Sequence, residues 1–546
     1  MSAHTSAELK AEGNALFSAK KYKEAEQKYT GAIEAGDEVA DPKGLAILYA
    51  NRAACRLSLK RYLDAERDAT KATVLDPTYA KAFARLATAQ DGQGKYDESK
   101  ESWQHALDAL PKTDLKQAEQ LQKSQYEVGL ANATVALVKA QNTAITDNTD
   151  PRNGAFIMRG EGRLPWDLAA VIVPRLRRET PNNPSLVYSS AWVIHFAYEE
   201  FAQGIKQLDE LQQIGNQMAG RLGAIDALCN GIMRDSRVFH MSDGKFISKY
   251  NKQVAFEAQV RRAWTDGGPE LVIREALARQ SNEGWDSVRP ALGVTIRALI
   301  MRGMLEGGLR QNHHVAAEML KNCLDVLRTL KEHWILEPKE NRGAIFQKTF
   351  IFGVQELYID ALMHTYDRSN PSAELLEDLL RESDLLINGV DEALRQPSPG
   401  QPDPGFVSSF YIYPRGKAYA MKGFYYNQKA TFMPEGHDRL MFFRKSANEY
   451  LKAAESFPED DETHPWFLNI ALGAMLSART FPVRETLDVM KRIRLSIPKA
   501  KEIWERSAMS FEGVWTTLEN VASREQELCD LVAQGTFTLD ACVGGE

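Results

Sequence analysis

Lys10 and Asn14 lie four residues apart, as do Lys81 and Arg85, and that spacing brings two side chains to one face of a helix. Asn51 stands between the two pairs, 34 residues ahead of Arg85. Ammonium groups, a guanidinium and carboxamides together have the chemistry of a receptor for an anion with several oxygens, since all of them donate hydrogen bonds and three of these five carry positive charge. A chain terminus ending in an acidic residue is such an anion: it has a main-chain carboxylate and, with aspartate, a second on the side chain. Charge-assisted hydrogen bonds contribute about 1.5–3 kcal/mol each. A handful of them, less the entropy of ordering a short peptide, corresponds to micromolar affinity, roughly −8 kcal/mol. Lys10, Asn51 and Lys81 are expected to be exposed. Leu16, Phe17 and Phe83 could by position shape a pocket for an apolar side chain just upstream of the ligand's terminus, but large apolar residues at helical spacing are read as core.

Such a set needs several helices side by side to hold it, and the chain repeats. The segments KKYKEAEQKYTGAIEAG, KRYLDAERDATKATVLDP and GKYDESKESWQHALDALP align Tyr22, Tyr62 and Tyr96 in one column, then Ala25, Ala65 and Ser99, then Ala32, Ala72 and Ala106. Tyr62 and Tyr96 are 34 residues apart, as are Pro77 and Pro111, and 34 is the period of the helix-turn-helix tetratricopeptide (TPR) unit. The 40-residue spacing from Tyr22 to Tyr62 is one unit plus an insertion around GDEVADPKG. In this architecture the first helix of each unit lines a concave groove. Small residues such as Gly13, Ala25 and Ala65 let paired helices approach closely, and the open end of the stack needs a covering helix.

The expected fold class is therefore all-α. A three-repeat TPR domain is placed over 5–112, a capping helix over 113–140 and a linker rich in Asn, Thr, Gly and Pro over 141–165. An α-helical C-terminal region fills 166–546, where apolar residues recur at helical spacing, with degenerate TPR-like helix pairs near 415–480. Convincing alternating strands do not occur in it.

At the words ELKAEGNALF, LYANRAA and YAKAFAR the sequence resembles the carboxylate-clamp TPR co-chaperones, which dock onto the EEVD tail of the seventy- and ninety-kilodalton heat-shock chaperones. The resemblance implies a clamp made of Lys10 and Asn14 in the first repeat, Asn51 in the second, and Lys81 and Arg85 in the third. It implies chaperone tails as partners, with a client or second protein on the C-terminal region, and it covers about a quarter of the chain. Two rival readings stand beside it: a scaffold whose TPR domain binds a different acidic peptide, and an enzyme with an unrecognised site in the C-terminal helices.

The rest of the chain narrows these classes. A formal charge of −7 with interspersed signs gives no cationic stripe for a phosphate backbone, so nucleic-acid binding is not expected. The N-terminus MSAHTSAELK lacks a signal-peptide pattern and no long apolar run follows, so a cytoplasmic protein without membrane insertion is expected. Cys55, Cys229, Cys323, Cys529 and Cys542 are scattered with no CxxC pair, which predicts free thiols and no zinc site; no cofactor is called for. Metallophosphatase and J-domain words are missing, RGEGR at 159–163 is not a phosphate loop, and His313, His314 and His333 read as ordinary surface or core residues, so catalysis is not expected. The aromatic run FVSSFYIYPRGKAYAMKGFYY, 406–426, is read as a packed helix pair in preference to a client groove.

Overall fold

The protein is described from a computed structural model that covers residues 5–36, 41–146, 163–215, 217–241, 243–265, 267–395 and 403–542. It divides into two compact units, the first made of residues 1–153 with 266–272 and 303–322, the second of the remainder.

Six helices in antiparallel pairs open the first unit: α1 (Ser6–Ser18) with α2 (Tyr22–Glu34), α3 (Pro42–Ser58) with α4 (Tyr62–Leu75), and α5 (Ala80–Gly92) with α6 (Tyr96–Asp108). The chain enters α1 through a capping box, in which Thr5 Oγ1 accepts from Glu8 N–H at 3.3 Å and Glu8 accepts from Thr5 N–H at 2.8 Å. Asp41 and Pro42 start α3 in the same spirit, the carboxylate capping Gly44 N–H at 2.8 Å and the proline filling a position that needs no N–H.

The turn inside each pair is one conformation used three times. Lys20, Lys60 and Gly94 take left-handed backbone angles (φ 58°, 57° and 73°), and the next residue's N–H reaches back to the carbonyls of Leu16, Arg56 and Gln90. That is the Schellman closure of a helix C-terminus. Close packing explains the small residues in the repeat. A Cβ added at Gly13 would lie 2.8 Å from the Tyr29 ring, and one at Gly92 would lie 2.3 Å from Tyr62. Ala25, Ala32, Ala65, Ala72 and Ala106 are fully buried.

Helix α7 (Gln117–Thr146) covers the open face of the last pair, laying Tyr126, Leu130 and Ala133 on Trp103, Ala106 and Ala87, with Gly129 giving way to the Trp103 ring. It runs six residues into the stretch expected to be a linker, because QNTAIT contains no helix breaker; the remainder of that stretch up to 162, including most of RGEGR, lies outside the described residues.

Charged side chains on the reverse of the stack are paired. Arg52 forks onto Asp68 with both contacts at 2.8 Å, Arg56 bridges Glu26 at 2.8 Å and Asp68 at 3.0 Å, and Arg61 joins Glu26 at 2.7 Å and also holds Asp64, which Arg67 contacts from its other side. Arg52, Arg56, Asp64 and Asp68 are all buried. Burial pushes the Asp64 carboxyl up, but Arg61, Arg67 and Arg56 outweigh it and hold its pKa down at about 2.

The second unit is helical as well, its long elements including Ser190–Glu210, Lys348–His364, Ala373–Arg395, Tyr413–Thr431, His437–Glu455, Thr463–Ala478 and Val483–Trp504. Two three-residue strands, Gln212–Ile214 and Gln217–Ala219, form a small antiparallel hairpin that the sequence did not suggest. Helices 413–431, 437–455 and 463–478 pack consecutively, with Tyr450 against Gly423 and the PEG turn between the first two closing in a few residues. Arg237 lies over the Trp504 ring at 3.8 Å and bridges the buried Asp461 at 2.8 Å. Among the described residues no helix is long and apolar enough to cross a membrane.

Candidate peptide-binding site

The five residues singled out by spacing lie on α1, α3 and α5, the first helix of each pair. Three of them form a hydrogen-bonded row across the stack: Asn51 Nδ2 donates to Asn14 Oδ1 at 3.4 Å, and the Arg85 guanidinium donates to Asn51 Oδ1 at 3.3 Å. Tyr29 donates its hydroxyl to the same Asn14 oxygen at 2.7 Å, so Asn14 is oriented with its amide NH₂ left over for a ligand. The row also accounts for a departure from expectation. Lys81 and Asn14 are exposed, whereas Asn51 and Lys10 are half-buried, and Asn51 is so because it is wedged between Asn14 and Arg85.

Arg85 is the electrostatic centre of the row. Burial lowers its pKa, and its charged surroundings are the weak acids Tyr79, Tyr126, Tyr29 and Cys55. Among the described residues no carboxylate pairs with Arg85, Lys10 or Lys81, in contrast to the matched arginines on the reverse of the same helices. Burial also raises the Tyr29 and Cys55 pKa values to about 12, Cys55 adding to the rise at Tyr29, so neither neutralises Arg85 at ordinary pH. Among the described residues the five side chains therefore present positive charge with no carboxylate partner, donor types that can meet an anion with several acceptor oxygens.

Leu16 and Phe17 are half-buried against the Ala25, Tyr29, Leu45 and Leu48 cluster, and Phe83 packs on the α5–α7 core with its ring 5.4 Å from His105. All three face a core. Tyr29, Tyr79 and Tyr126, which surround the groove arginine, were not singled out by spacing, because an aromatic in a helical repeat reads as packing. Among the described residues no cluster of His, Cys, Asp or Glu could hold a metal ion, and the five cysteines are free.

Helix pairs recurring at this period, closed by an identical turn and faced with a polar groove on their first helices, define a TPR domain. Its sequence matches TPR co-chaperones. Over 104 residues it is 38% identical to Heat shock protein STI1 of Saccharomyces cerevisiae, covering 19% of this chain and 17% of that protein. The Heat shock protein sti1 homolog of Schizosaccharomyces pombe is 43% identical over 100 residues (18% and 16%), and the Hsp70/Hsp90 co-chaperone cns1 of the same yeast is 38% identical over 89 residues (16% and 24%). The match thus spans about a sixth of the first two relatives and a quarter of the third. No protein-family model matches the chain.

Proposed function

We propose that this protein is a cytosolic co-chaperone or adaptor without catalytic activity, whose TPR groove grips the EEVD-type C-terminal tail of a heat-shock 70 or 90 chaperone through Lys10, Asn14, Asn51, Lys81 and Arg85. The observation that carries the reading is the Asn14–Asn51–Arg85 row with its unneutralised guanidinium. A terminal carboxylate supplies the missing negative charge and accepts from Asn14 and Asn51, while the two lysines suit the side-chain carboxylate of a terminal aspartate. The name of the matched relative cns1, an Hsp70/Hsp90 co-chaperone, supports the choice of partner. The second unit would then hold a client or a second protein.

Isothermal titration of the full chain with a peptide ending in MEEVD, and with the same peptide amidated, tests the reading. Micromolar binding that amidation removes is expected. Equal binding of both forms would mean that the groove reads an internal acidic segment, and no binding of either would leave the TPR surface to another kind of ligand.

A further inference from the structure

The second unit contains a cavity of about 510 Å³ with Lys331, Lys339, Arg342 and Lys348 in its wall. Opposing charge is scarce. Glu392 reaches Lys348 at 3.2 Å, and among the described residues no acidic group forms an ion pair with the other three. Lys331 is half-buried and its pKa is lowered by burial, then by Lys348 and Arg342, which Glu392 only partly offsets. Arg342 Nε is buried without a hydrogen-bond partner.

The turn that carries Lys339 and Arg342 is braced. Gly343 has φ 87°, a side chain there would run into Arg289, and the Arg289 guanidinium donates to the Glu340 carbonyl at 3.0 Å. The helix Lys348–His364 begins at the cavity, and its N-cap residue Gln347 makes no side-chain cap bond, so its first N–H groups add to the positive field. Phe406 and Tyr411 form the apolar side of the wall. Tyr411 sits on a single turn of π-helix, Ser408–Ile412, a distortion that recurs where a helix serves a site.

The size lies within the roughly 300–1,000 Å³ of small-molecule sites. Lysine ammonium groups, an arginine fork and a helix N-terminus are the donor types that bind phosphate oxygens. We propose that this cavity binds a small molecule carrying two or more phosphate groups on a flat aromatic body, the class of nucleoside diphosphates, the phosphates meeting Lys331, Lys339, Arg342 and Lys348 and the ring resting on Phe406 and Tyr411.

Titration of the full chain at low salt with pyrophosphate, ADP and adenosine tests this. ADP is expected to bind about tenfold or more tightly than either pyrophosphate or adenosine, with an affinity that falls as salt rises. Arg342→Gln and, on the exposed rim, Lys339→Glu should each weaken ADP about tenfold; the rim variant puts no buried contact at risk, so its loss cannot be attributed to misfolding. Phe406→Leu should weaken ADP and leave pyrophosphate unchanged. A Lys10→Ala, Lys81→Ala double variant should bind ADP normally, which separates this site from the TPR groove. Failure of both ADP and pyrophosphate to bind at millimolar concentration would overturn the proposal, as would undiminished ADP binding by Lys339→Glu and Arg342→Gln. Equal affinity for ADP and pyrophosphate would overturn its aromatic half.

Discussion

Arg85 and Arg52 are both arginines of first-position helices, yet among the described residues no carboxylate pairs with Arg85, whereas Arg52 is forked onto Asp68. The difference can be used experimentally. Asn51→Asp keeps an oxygen where Arg85 already donates and adds the absent negative charge. The unliganded domain should become more stable by up to about 1 kcal/mol, while the affinity for a C-terminal acidic peptide falls at least about tenfold. Thermal unfolding and titration of the same variant check both halves; unchanged affinity would place tail binding away from Arg85. Asp68→Ala acts on the opposite face. It leaves Arg52 and Arg56 buried with too few acceptors, and urea unfolding should report a loss of about 3–5 kcal/mol. At this scale the placing of the five residues on α1, α3 and α5 was legible from type and spacing, because a helical repeat fixes which residues share a helix and a face. The Glu26–Arg52–Arg56–Asp68 lattice was not, since charged residues at helical spacing read as a solvated face until their partners on other helices are known.

Among elements, the repeated turn holds a correctable cost. Gly94 adopts its left-handed angle freely, whereas Lys20 and Lys60 adopt the same angle with a Cβ present, at about 1–2 kcal/mol each. Lys20→Gly should therefore stabilise the first helix pair, by about 0.5–1 kcal/mol after allowing for the greater backbone freedom of glycine when unfolded. Differential scanning calorimetry checks it; a lower transition temperature would mean that the lysine side chain contributes more than its backbone strain. The helix pairs themselves could be read from the sequence because each carries a tyrosine and two small residues in fixed columns. The end of α7 was placed early, since a polar composition suggested a loop where no breaker intervenes. Strands of three residues are too short to leave an alternating pattern, and the hairpin at 212–219 was missed for that reason.

For the whole molecule, the first unit is discontinuous in sequence. Residues 303–322 belong to it, and from that segment the buried Glu318 caps α4, accepting from Leu63 N–H at 2.8 Å and Asp64 N–H at 2.7 Å. No sequence pattern joins positions some 250 residues apart, so this cap could not be foreseen. Burial, and then the charge of Asp64, raises the Glu318 pKa to about 8. A carboxyl whose folded pKa is raised favours the fold while protonated and loses that contribution as pH climbs through the folded value. Stability of the first unit should therefore decline between about pH 4.5 and 8 and flatten over that range in Glu318→Gln, as urea midpoints at stepped pH will show. Asp64, held at about 2, works in the other sense: its contribution is present above about pH 4 and disappears as pH falls toward 2. His314, lowered to about 4 by burial, Lys60 and His313, likewise favours the fold above about pH 6.5 and stops doing so on acidification.

The distance along the chain between α4 and its cap has a temporal meaning during synthesis. Roughly 240 residues separate Leu75 from Glu318, and at about 5–20 residues per second a ribosome takes something like 12–50 s to add them. For most of that interval the three repeats have already been synthesised while the start of α4 is uncapped. If the groove binds an acidic tail as proposed, it would be open to that tail before Glu318 caps α4.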